Sequence, residues 1–387
     1  MLAAVTPLAA LPAITRSVGP SGWADIAVAQ SLGAAAAIVG ELGWSVVGPQ
    51  LVARSAPREQ QSIFQRAMAS KILAGTLLSV LAGIVAVALA KELVLVAGLV
   101  AVASGLTCLN SVWYFIGQNR PMAIILTDSL PRLIGVLAAA VALDLGAEAY
   151  VFPAGLVFGV GMSFLLATRA ASTRSFPSLA DFRSVPATVR MQGVVVGGRA
   201  VSSLYTALPI AIVGLLSPQS VASFAAAERL MRMGLNAVAA IPNRLQHWLG
   251  SARDGDLTRR VRTALWINFA VGVVSASAFF AIAPTAIAVL FTGTVTVPSG
   301  ALVLCAGVIL LICMSRGYGL ALVAANRVGL ISVATISSAV LGASAFLLLV
   351  PAFGIAGGFA AEIAAEFCGL LIQGVILHRW LRRSERD

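Results

Sequence analysis

The amino-acid sequence predicts an all-α polytopic membrane protein with about twelve transmembrane helices in two six-helix lobes. Composition is the first reason. Of the 387 residues, 59% are hydrophobic and only 11% are charged, whereas a soluble globular protein carries about 25% charged residues. The second reason is a series of apolar runs that are each long enough to span a bilayer. The third is a strong bias in the charges of the segments between those runs.

Apolar runs, divided by glycine, proline and charged residues, define the predicted helices. We place them at residues 1–15, 23–52, 67–90, 93–116, 122–143, 149–169, 190–215, 219–249, 262–290, 299–324, 327–350 and 355–378. The first run rises only about 22 Å, which is less than the roughly 30 Å thickness of the hydrocarbon core. We therefore expect the first helix to be truncated in this sequence.

Basic residues between the runs indicate the topology. If odd-numbered helices run outward, nineteen basic residues, Lys71 among them, fall on the cytoplasmic side, and only Arg16 and Lys91 fall on the other. Since cytoplasmic loops are enriched in lysine and arginine, both termini are predicted to be cytoplasmic. The net charge of +11 is explained by this topology, so we expect no nucleic-acid partner.

The two halves of the chain resemble each other. Leu11–Gln30 is similar to Leu208–Arg229, because each has a proline-bearing helix end, a short turn and a new apolar run. The repeat predicts an N-terminal lobe at residues 1–170, a cytoplasmic linker at 171–189, and a C-terminal lobe with a basic cytoplasmic tail at 190–387. Each lobe has an even number of helices, so both cross the membrane in the same orientation. Their pseudo-two-fold axis then lies along the membrane normal, as in many alternating-access carriers.

Several kinds of chemistry have no support in the sequence. The four cysteines lie inside apolar runs, and the two histidines are isolated, so we predict no disulfide and no metal site. No glycine-rich nucleotide-binding loop is present. Loops on the outer side are short, which leaves no room for a catalytic domain. We therefore expect neither an enzyme nor a bound cofactor.

Charged residues within the predicted spans are the most informative feature. Ten lie away from the span ends, and they are Glu41, Asp128, Arg132, Arg199, Glu228, Arg229, Arg232, Arg316, Glu362 and Glu366. A charge at the centre of a bilayer costs about 2.5–3.5 kcal/mol on insertion scales, unless it lines a wetted cavity or is paired. Two acid–arginine pairs have i,i+4 spacing and share a helix face, so internal pairing is one explanation. A polar cavity is the other.

Three motifs resemble those of Wzx-type polysaccharide flippases, which belong to the multidrug/oligosaccharidyl-lipid/polysaccharide exporter superfamily. They are P-x-x-T-R-x-x-G-P-x-G-W at Pro12–Trp23, W-Y-F-I-G-Q-N-R at Trp113–Arg120, and A-A-A-E-R-L-M-R at Ala225–Arg232. The resemblance implies transport of a polyprenyl-pyrophosphate-linked oligosaccharide from the inner to the outer leaflet of the bacterial cytoplasmic membrane. It also implies membrane lipids, a glycan polymerase and glycosyltransferases as partners.

Arginine is the residue best suited to hold such a cargo, because its guanidinium stays charged and binds phosphate oxygens in a bidentate manner. We therefore predict that Arg132, Arg199, Arg229 and Arg232 bind the substrate. Glu228 is expected to keep the empty site from binding too tightly.

Glu362 and Glu366 share one face of the last predicted helix, with no basic residue near them on that helix. Two close carboxyl groups do not both ionise readily in a medium of low dielectric constant. We predict that they, and Glu41 in the other lobe, are candidates for coupling to H⁺ or Na⁺; pairing with an arginine of another helix is the alternative. Pro12 and Pro209 are predicted hinges, since a proline removes a helix hydrogen bond.

Three other functions stay open at this point. A multidrug exporter of the same superfamily would favour an acidic cavity with few arginines. A membrane-embedded glycan polymerase or ligase would be expected to have a long outward loop. A scaffold that does not transport would have the same hydropathy.

Overall fold

A computed structural model of the protein describes residues 2–171, 177–250, 256–325 and 327–384, and within these ranges the secondary structure is helical, without strands. Contacts divide the chain into two compact units, Met1–Gly214 and Leu215–Asp387. Each unit buries its own polar cluster, and these clusters hold most of the charged residues that the sequence places inside the membrane.

The first unit contains eleven helices in its described residues. These are α1 (Leu2–Gly40), α2 (Trp44–Arg54), α3 (Pro57–Leu89), α4 (Val94–Gly105), α5 (Val112–Gly117), α6 (Pro121–Ile124), α7 (Leu130–Asp144), α8 (Val151–Ala170), α9 (Leu179–Arg183), α10 (Val185–Thr206) and α11 (Pro209–Leu216). A 3₁₀ turn, Leu106–Leu109, follows α4, and a π turn, Ile125–Ser129, lies between α6 and α7. Helix α1 is interrupted at Gly19, whose φ of 67° is accessible to glycine at little cost.

The second unit begins with the last two residues of α11, which a 3₁₀ turn at Pro218–Ser220 follows. It continues with α12 (Val221–Ala237), α13 (Ala240–Gly250), α14 (Leu257–Leu290), α15 (Ser299–Ala324) and α16 (Val328–Ser384). Helix α16 is interrupted at Gly354, where φ is 53°. The two last predicted runs therefore correspond to the two halves of α16.

The twelve predicted runs correspond to helical segments of the structure. Eight segments of the described chain are long and apolar enough to cross a membrane, and two of them, Ala10–Arg54 and Gly329–Arg382, each cover two predicted runs. The seventh and eighth runs fall on the pairs α10–α11 and α12–α13, which are each broken by a short non-helical step. In the predicted linker, α9 is closed at its start by a capping box between Ser178 and Asp181.

Close helix packing in the first unit depends on glycines and on one buried acid. A Cβ atom on Gly135 of α7 would lie 2.3 Å from the Gly155 carbonyl oxygen of α8, so these helices touch backbone to backbone. The Asp25 carboxylate of α1 accepts hydrogen bonds from the backbone N–H groups of Lys91, Glu92 and Leu93. It thereby satisfies donors just before α4 that have no helical partner.

Helix α10 contacts α1 and α3, Ala211 of α11 donates to Ser31 of α1, and the chain as far as Gly214 is grouped with the first unit. The repeat in the sequence assigns the same segment to the C-terminal lobe. The predicted division at residues 170 and 190 rests on the repeat and stays a prediction.

Candidate substrate-binding site

Glu41 is the centre of the polar cluster in the first unit. It follows the end of α1, where Leu42 and Gly43 have positive φ values and turn the chain into α2. Its carboxylate accepts hydrogen bonds from Arg199 Nη2 at 2.8 Å, Ser45 Oγ at 2.8 Å and Asn110 Nδ2 at 2.6 Å. A predicted coupling residue and a predicted substrate-binding residue are therefore partners in one ion pair. This contact joins positions 158 residues apart in the sequence.

Asn110 reaches Glu41 because the helix is interrupted there. After the 3₁₀ turn, Asn110 has an extended ψ of 149°, and α5 starts two residues later. The break leaves the Asn110 carbonyl without a helical donor, and Lys71 Nζ of α3 donates to it at 2.9 Å. The Asn110 side chain also donates to the Thr107 carbonyl.

Lys71 is completely buried, and its ammonium group lies 5.6 Å from the centroid of the Trp113 ring. Lys71 lies near the start of the predicted run at 67–90 and is counted there with the cytoplasmic charges, so its burial is not predicted. Helix α3 begins at Pro57, about four turns before Lys71, so the side chain projects into the packed interior. The sequence signal that could have identified it is a single lysine between apolar residues, in ASKILAG.

Asp128 and Arg132 form an ion pair at 2.9 Å, as the i,i+4 spacing predicts. Asp128 lies in the π turn that precedes α7, a feature that is frequent at functional sites. Arg132 Nη2 also lies 3.5 Å from the Thr107 carbonyl oxygen. Since Asn110 donates to the same carbonyl, this pair and the Glu41 cluster form one continuous polar network.

The network of the first unit has an excess of positive charge. Its cations are Lys71, Arg132 and Arg199, and its anions are Glu41 and Asp128. A closed set of structural ion pairs would be neutral. Among the described residues, this network has one more positive than negative charge, so an additional anion would neutralise it.

The second cluster, in the other unit, is centred on Arg232 of α12. Its guanidinium lies 3.2 Å from Glu228 on the same helix and 3.7 Å from Glu362 on α16. The first contact follows from the i,i+4 spacing. The second is the pairing with an arginine of another helix that the sequence leaves open as the alternative to ion coupling for the carboxyl groups of α16. Glu366, one turn after Glu362, interacts electrostatically with Arg232 and Arg316.

Not every carboxylate oxygen in the second cluster is satisfied. Glu228 Oε2 and both carboxylate oxygens of Glu362 are buried without a hydrogen-bond partner in the described structure. Arg316 Nη1 donates to the Leu235 carbonyl, near the end of α12. Arg229 lies next to Glu228 on α12 and interacts electrostatically with it.

Three arginines of these clusters form ion pairs in the described structure, and each is more exposed than the acids that it contacts. The side chains of Arg132, Arg199 and Arg232 are 24%, 27% and 33% exposed, whereas their acidic partners, Asp128, Glu41 and Glu228, are 13%, 13% and 4% exposed. The carboxylate therefore lies behind the guanidinium. What an approaching solute meets is the cation.

The two predicted hinges differ in their surroundings. Pro209 follows a break between α10 and α11, and the Ser31 hydroxyl of α1 bridges that break: it donates to the Ala207 carbonyl and accepts from Ala211 N–H. In a continuous helix these two backbone groups would bond to each other. Pro12 lies within the helical part of α1, and the interruption of that helix is seven residues later, at Gly19. Both hinges stay predictions.

Comparison with known proteins gives a family and a fold. The family described as "Polysaccharide biosynthesis protein" matches residues 1–244. No match was found among curated proteins.

Solved structures of transporters are similar over almost the whole chain. The inward-facing conformation of a multidrug resistance MATE family transporter of the MOP superfamily has a TM-score of 0.73 at 14% identity, covering 99% of this chain and 95% of the other. The lipid II flippase MurJ, in its inward closed conformation, has a TM-score of 0.75 at 12% identity, covering 97% of this chain and 85% of the other. A MOP superfamily transporter from Pyrococcus furiosus has a TM-score of 0.61 at 16% identity, covering 98% of this chain and 93% of the other. The predicted fold class is thereby confirmed.

Proposed function

This chain belongs to the polysaccharide biosynthesis protein family, and from that premise we propose that it carries a polyprenyl-pyrophosphate-linked oligosaccharide from the inner to the outer leaflet of the bacterial cytoplasmic membrane by alternating access. The predicted resemblance to Wzx-type flippases is confirmed by the family and the fold together. The chain is a multi-pass membrane protein of the transporter type and not an enzyme. The cargo and the direction of its movement are our proposal.

The observation that carries the proposal is the exposure of arginine in front of each buried acid. A pyrophosphate needs planar, permanently charged donors, and it can approach Arg132, Arg199 and Arg232 without first displacing the carboxylates. The excess positive charge of the first unit also supports an anionic cargo, because an anion would neutralise it. Arg229, beside Glu228, is proposed to contribute from the second cluster.

A multidrug exporter is the alternative that the fold leaves open, since MATE transporters have similar structures. A cationic drug would favour exposed carboxylates, and here the acids lie behind the arginines. For the Pyrococcus furiosus transporter, the reverse polarity of its binding pocket suggests a different function. Polarity is therefore a reasonable guide to cargo within this fold. A glycan polymerase or ligase has no support from the family or the fold.

We further propose that the second cluster binds the coupling ion, H⁺ or Na⁺. Three buried carboxylate oxygens of Glu228 and Glu362 have no hydrogen-bond partner among the residues that the structure describes, and a proton or a cation would satisfy them. Glu366 lies near the same arginines. Glu41 is less suited to this role, because three donors already occupy its carboxylate.

Coupling can be tested in proteoliposomes with an imposed pH or sodium gradient. The double variant Glu362→Gln/Glu366→Gln should transport without responding to the gradient. Glu59→Gln, at an exposed position in the first turn of α3, is the matched control and should respond like the wild type. Transport by the double variant that still follows the gradient would exclude these carboxyl groups.

Both termini are proposed to be cytoplasmic, as the charge bias predicts. In the cell the protein would receive its cargo from glycosyltransferases on the inner face and deliver it to a glycan polymerase on the outer face. These partners are proposed from the chemistry of the cargo.

The cargo is tested by mass spectrometry of polyprenyl-linked glycans. One lipid-linked oligosaccharide should accumulate in cells that lack the protein and disappear when the protein is restored. Restoration with Arg199→Ala, Arg229→Ala or Arg232→Ala should leave the accumulation in place, whereas Arg58→Ala should restore export, because Arg58 is exposed in the first turn of α3. If nothing accumulates, and the cells instead become sensitive to cationic drugs, the chain is a multidrug exporter.

A further inference from the structure

Lys71 contributes to the excess positive charge of the first unit but has no role of its own in the function proposed so far, and its burial demands an explanation. An ammonium group that is removed from water is costly unless it is paired. Lys71 is completely buried, donates to the Asn110 carbonyl and lies over the Trp113 ring. A carbonyl dipole and an aromatic face compensate a full charge only partly. Glu41 and Asp128 both interact electrostatically with it, and Glu41 is the one that a hydrogen-bonded residue, Asn110, links to it.

Glu41 has two cations near it in this structure. Arg199 Nη2 is in direct contact at 2.8 Å, and Lys71 is linked through Asn110, which accepts from Lys71 with its carbonyl and donates to Glu41 with its amide. One carboxylate does not need two cations. The second cation becomes necessary only if the first one leaves.

An anionic substrate would make Arg199 leave. A phosphate oxygen that binds the Arg199 guanidinium competes with Glu41 for the same donors. Without another cation, Glu41 would then be an uncompensated buried charge, and the substrate would have to supply the free energy for it. With Lys71 in place, Glu41 and Lys71 balance each other, and Asp128 and Arg132 stay paired.

We propose that Lys71 is the counter-charge that allows Arg199 to exchange its partner, from Glu41 to a phosphate oxygen of the substrate. The inference rests on the proposed function and adds a residue that nothing in the family match assigns. Lys71 is a positioning residue, since it is buried and acts through Glu41 and Asn110 without touching the substrate. A purely structural lysine, which only holds the Asn110 carbonyl, would act independently of the charge on Glu41.

The experiment measures binding of farnesyl pyrophosphate to the purified full-length protein in detergent by isothermal titration calorimetry. Removing the counter-charge in Lys71→Gln should raise the Kd about tenfold, because each binding event then leaves the buried charge of Glu41 without a compensating cation. Glu41→Gln should bind at least as tightly as the wild type. The double variant Glu41→Gln/Lys71→Gln should match Glu41→Gln within about twofold, because neither charge is left to compensate.

Three results separate the possibilities. Wild-type affinity in Lys71→Gln, or a double variant as weak as Lys71→Gln, overturns the counter-charge role. If Lys71→Gln does not fold, Glu41→Gln and the double variant still decide; a double variant that fails to fold or binds more weakly than Glu41→Gln overturns the proposal. If the wild type does not bind the probe, or if Arg199→Gln binds as well as the wild type, the proposed substrate site itself is refuted, and the inference with it.

Discussion

Removing Arg232 should destabilise the protein far more than removing an arginine from a shorter but exposed ion pair. Arg232 lies 3.2 Å from Glu228 and 3.7 Å from Glu362, and these acid side chains are only 4% and 6% exposed. At an effective dielectric constant of about 20, each attraction is about 4–5 kcal/mol before desolvation is subtracted. Breaking a buried pair by removing one partner costs about 3–5 kcal/mol. Since a third of Arg232 is exposed, we expect about 3 kcal/mol for Arg232→Gln.

The matched control is Arg16→Gln. Its pair with Asp144 is shorter, at 2.8 Å, but the two side chains are 55% and 48% exposed. Exposed pairs contribute about 0–1 kcal/mol. If burial decides how much an ion pair stabilises the protein, the longer contacts of Arg232 contribute more than the shorter contact of Arg16.

The assay is the melting temperature of purified protein in detergent, followed by fluorescence-detected size-exclusion chromatography. On the scale of soluble domains of 150–250 residues, about 3 kcal/mol corresponds to a fall of about 6–12 °C, and the Arg16 variant should change by less than about 4 °C. Neutralising the acids as well, in Glu228→Gln/Arg232→Gln/Glu362→Gln, should recover most of the loss, because no buried charge is left unpaired. The reasoning is refuted if the two single variants melt alike, or if the triple variant melts no higher than Arg232→Gln.

Three further predictions concern stability; the first two use the melting temperature, and the third uses hydrogen exchange. Ser31→Ala should lower the melting temperature, because it leaves a buried N–H and a carbonyl at the α10–α11 break without partners; Ser344→Ala, which removes one exposed hydroxyl contact on α16, should not. Gly135→Ala should be destabilising by about 1–3 kcal/mol through overpacking against the α8 backbone. Gly161→Ala, on α8 with open space at its Cβ, should be neutral or stabilising. Asp25→Ala should destabilise the start of α4 and increase hydrogen exchange at the N–H groups that it caps.

Local rules of the sequence were sufficient for the spans and for two of the ion pairs. A backbone in lipid must satisfy its own hydrogen bonds, so apolar runs of sufficient length become helices. Spacing of four residues on a helix places two side chains on one face, which is why the pairs Asp128–Arg132 and Glu228–Arg232 were predictable. The spans and the i,i+4 pairs can therefore be predicted without knowledge of how the helices pack.

Contacts between distant segments were beyond those rules. Glu41 pairs with Arg199, 158 residues away, and Arg232 reaches Glu362 on another helix. Both partners depend on tertiary packing, for which hydropathy holds no information. The burial of Lys71 was not predicted, because Lys71 lies near the start of the predicted run at 67–90, whereas α3 already begins at Pro57. Asn110 was missed because nothing in LTCLNSVW marks the break that frees its carbonyl.

Pairing of the arginines is compatible with transport because a carrier must release what it binds. Arginines held apart by packing, without acids behind them, would bind a pyrophosphate tightly and release it slowly, and conduction requires binding that is favourable but weak enough to leave. A carboxylate behind each guanidinium lowers the net gain of substrate binding, because the substrate replaces a partner that was already present. The same carboxylate favours release, because it takes the arginine back. The affinity for substrate is then set by the difference between two binding free energies, that of the substrate and that of the carboxylate for the same arginine. Lys71 is proposed to adjust this difference at Glu41.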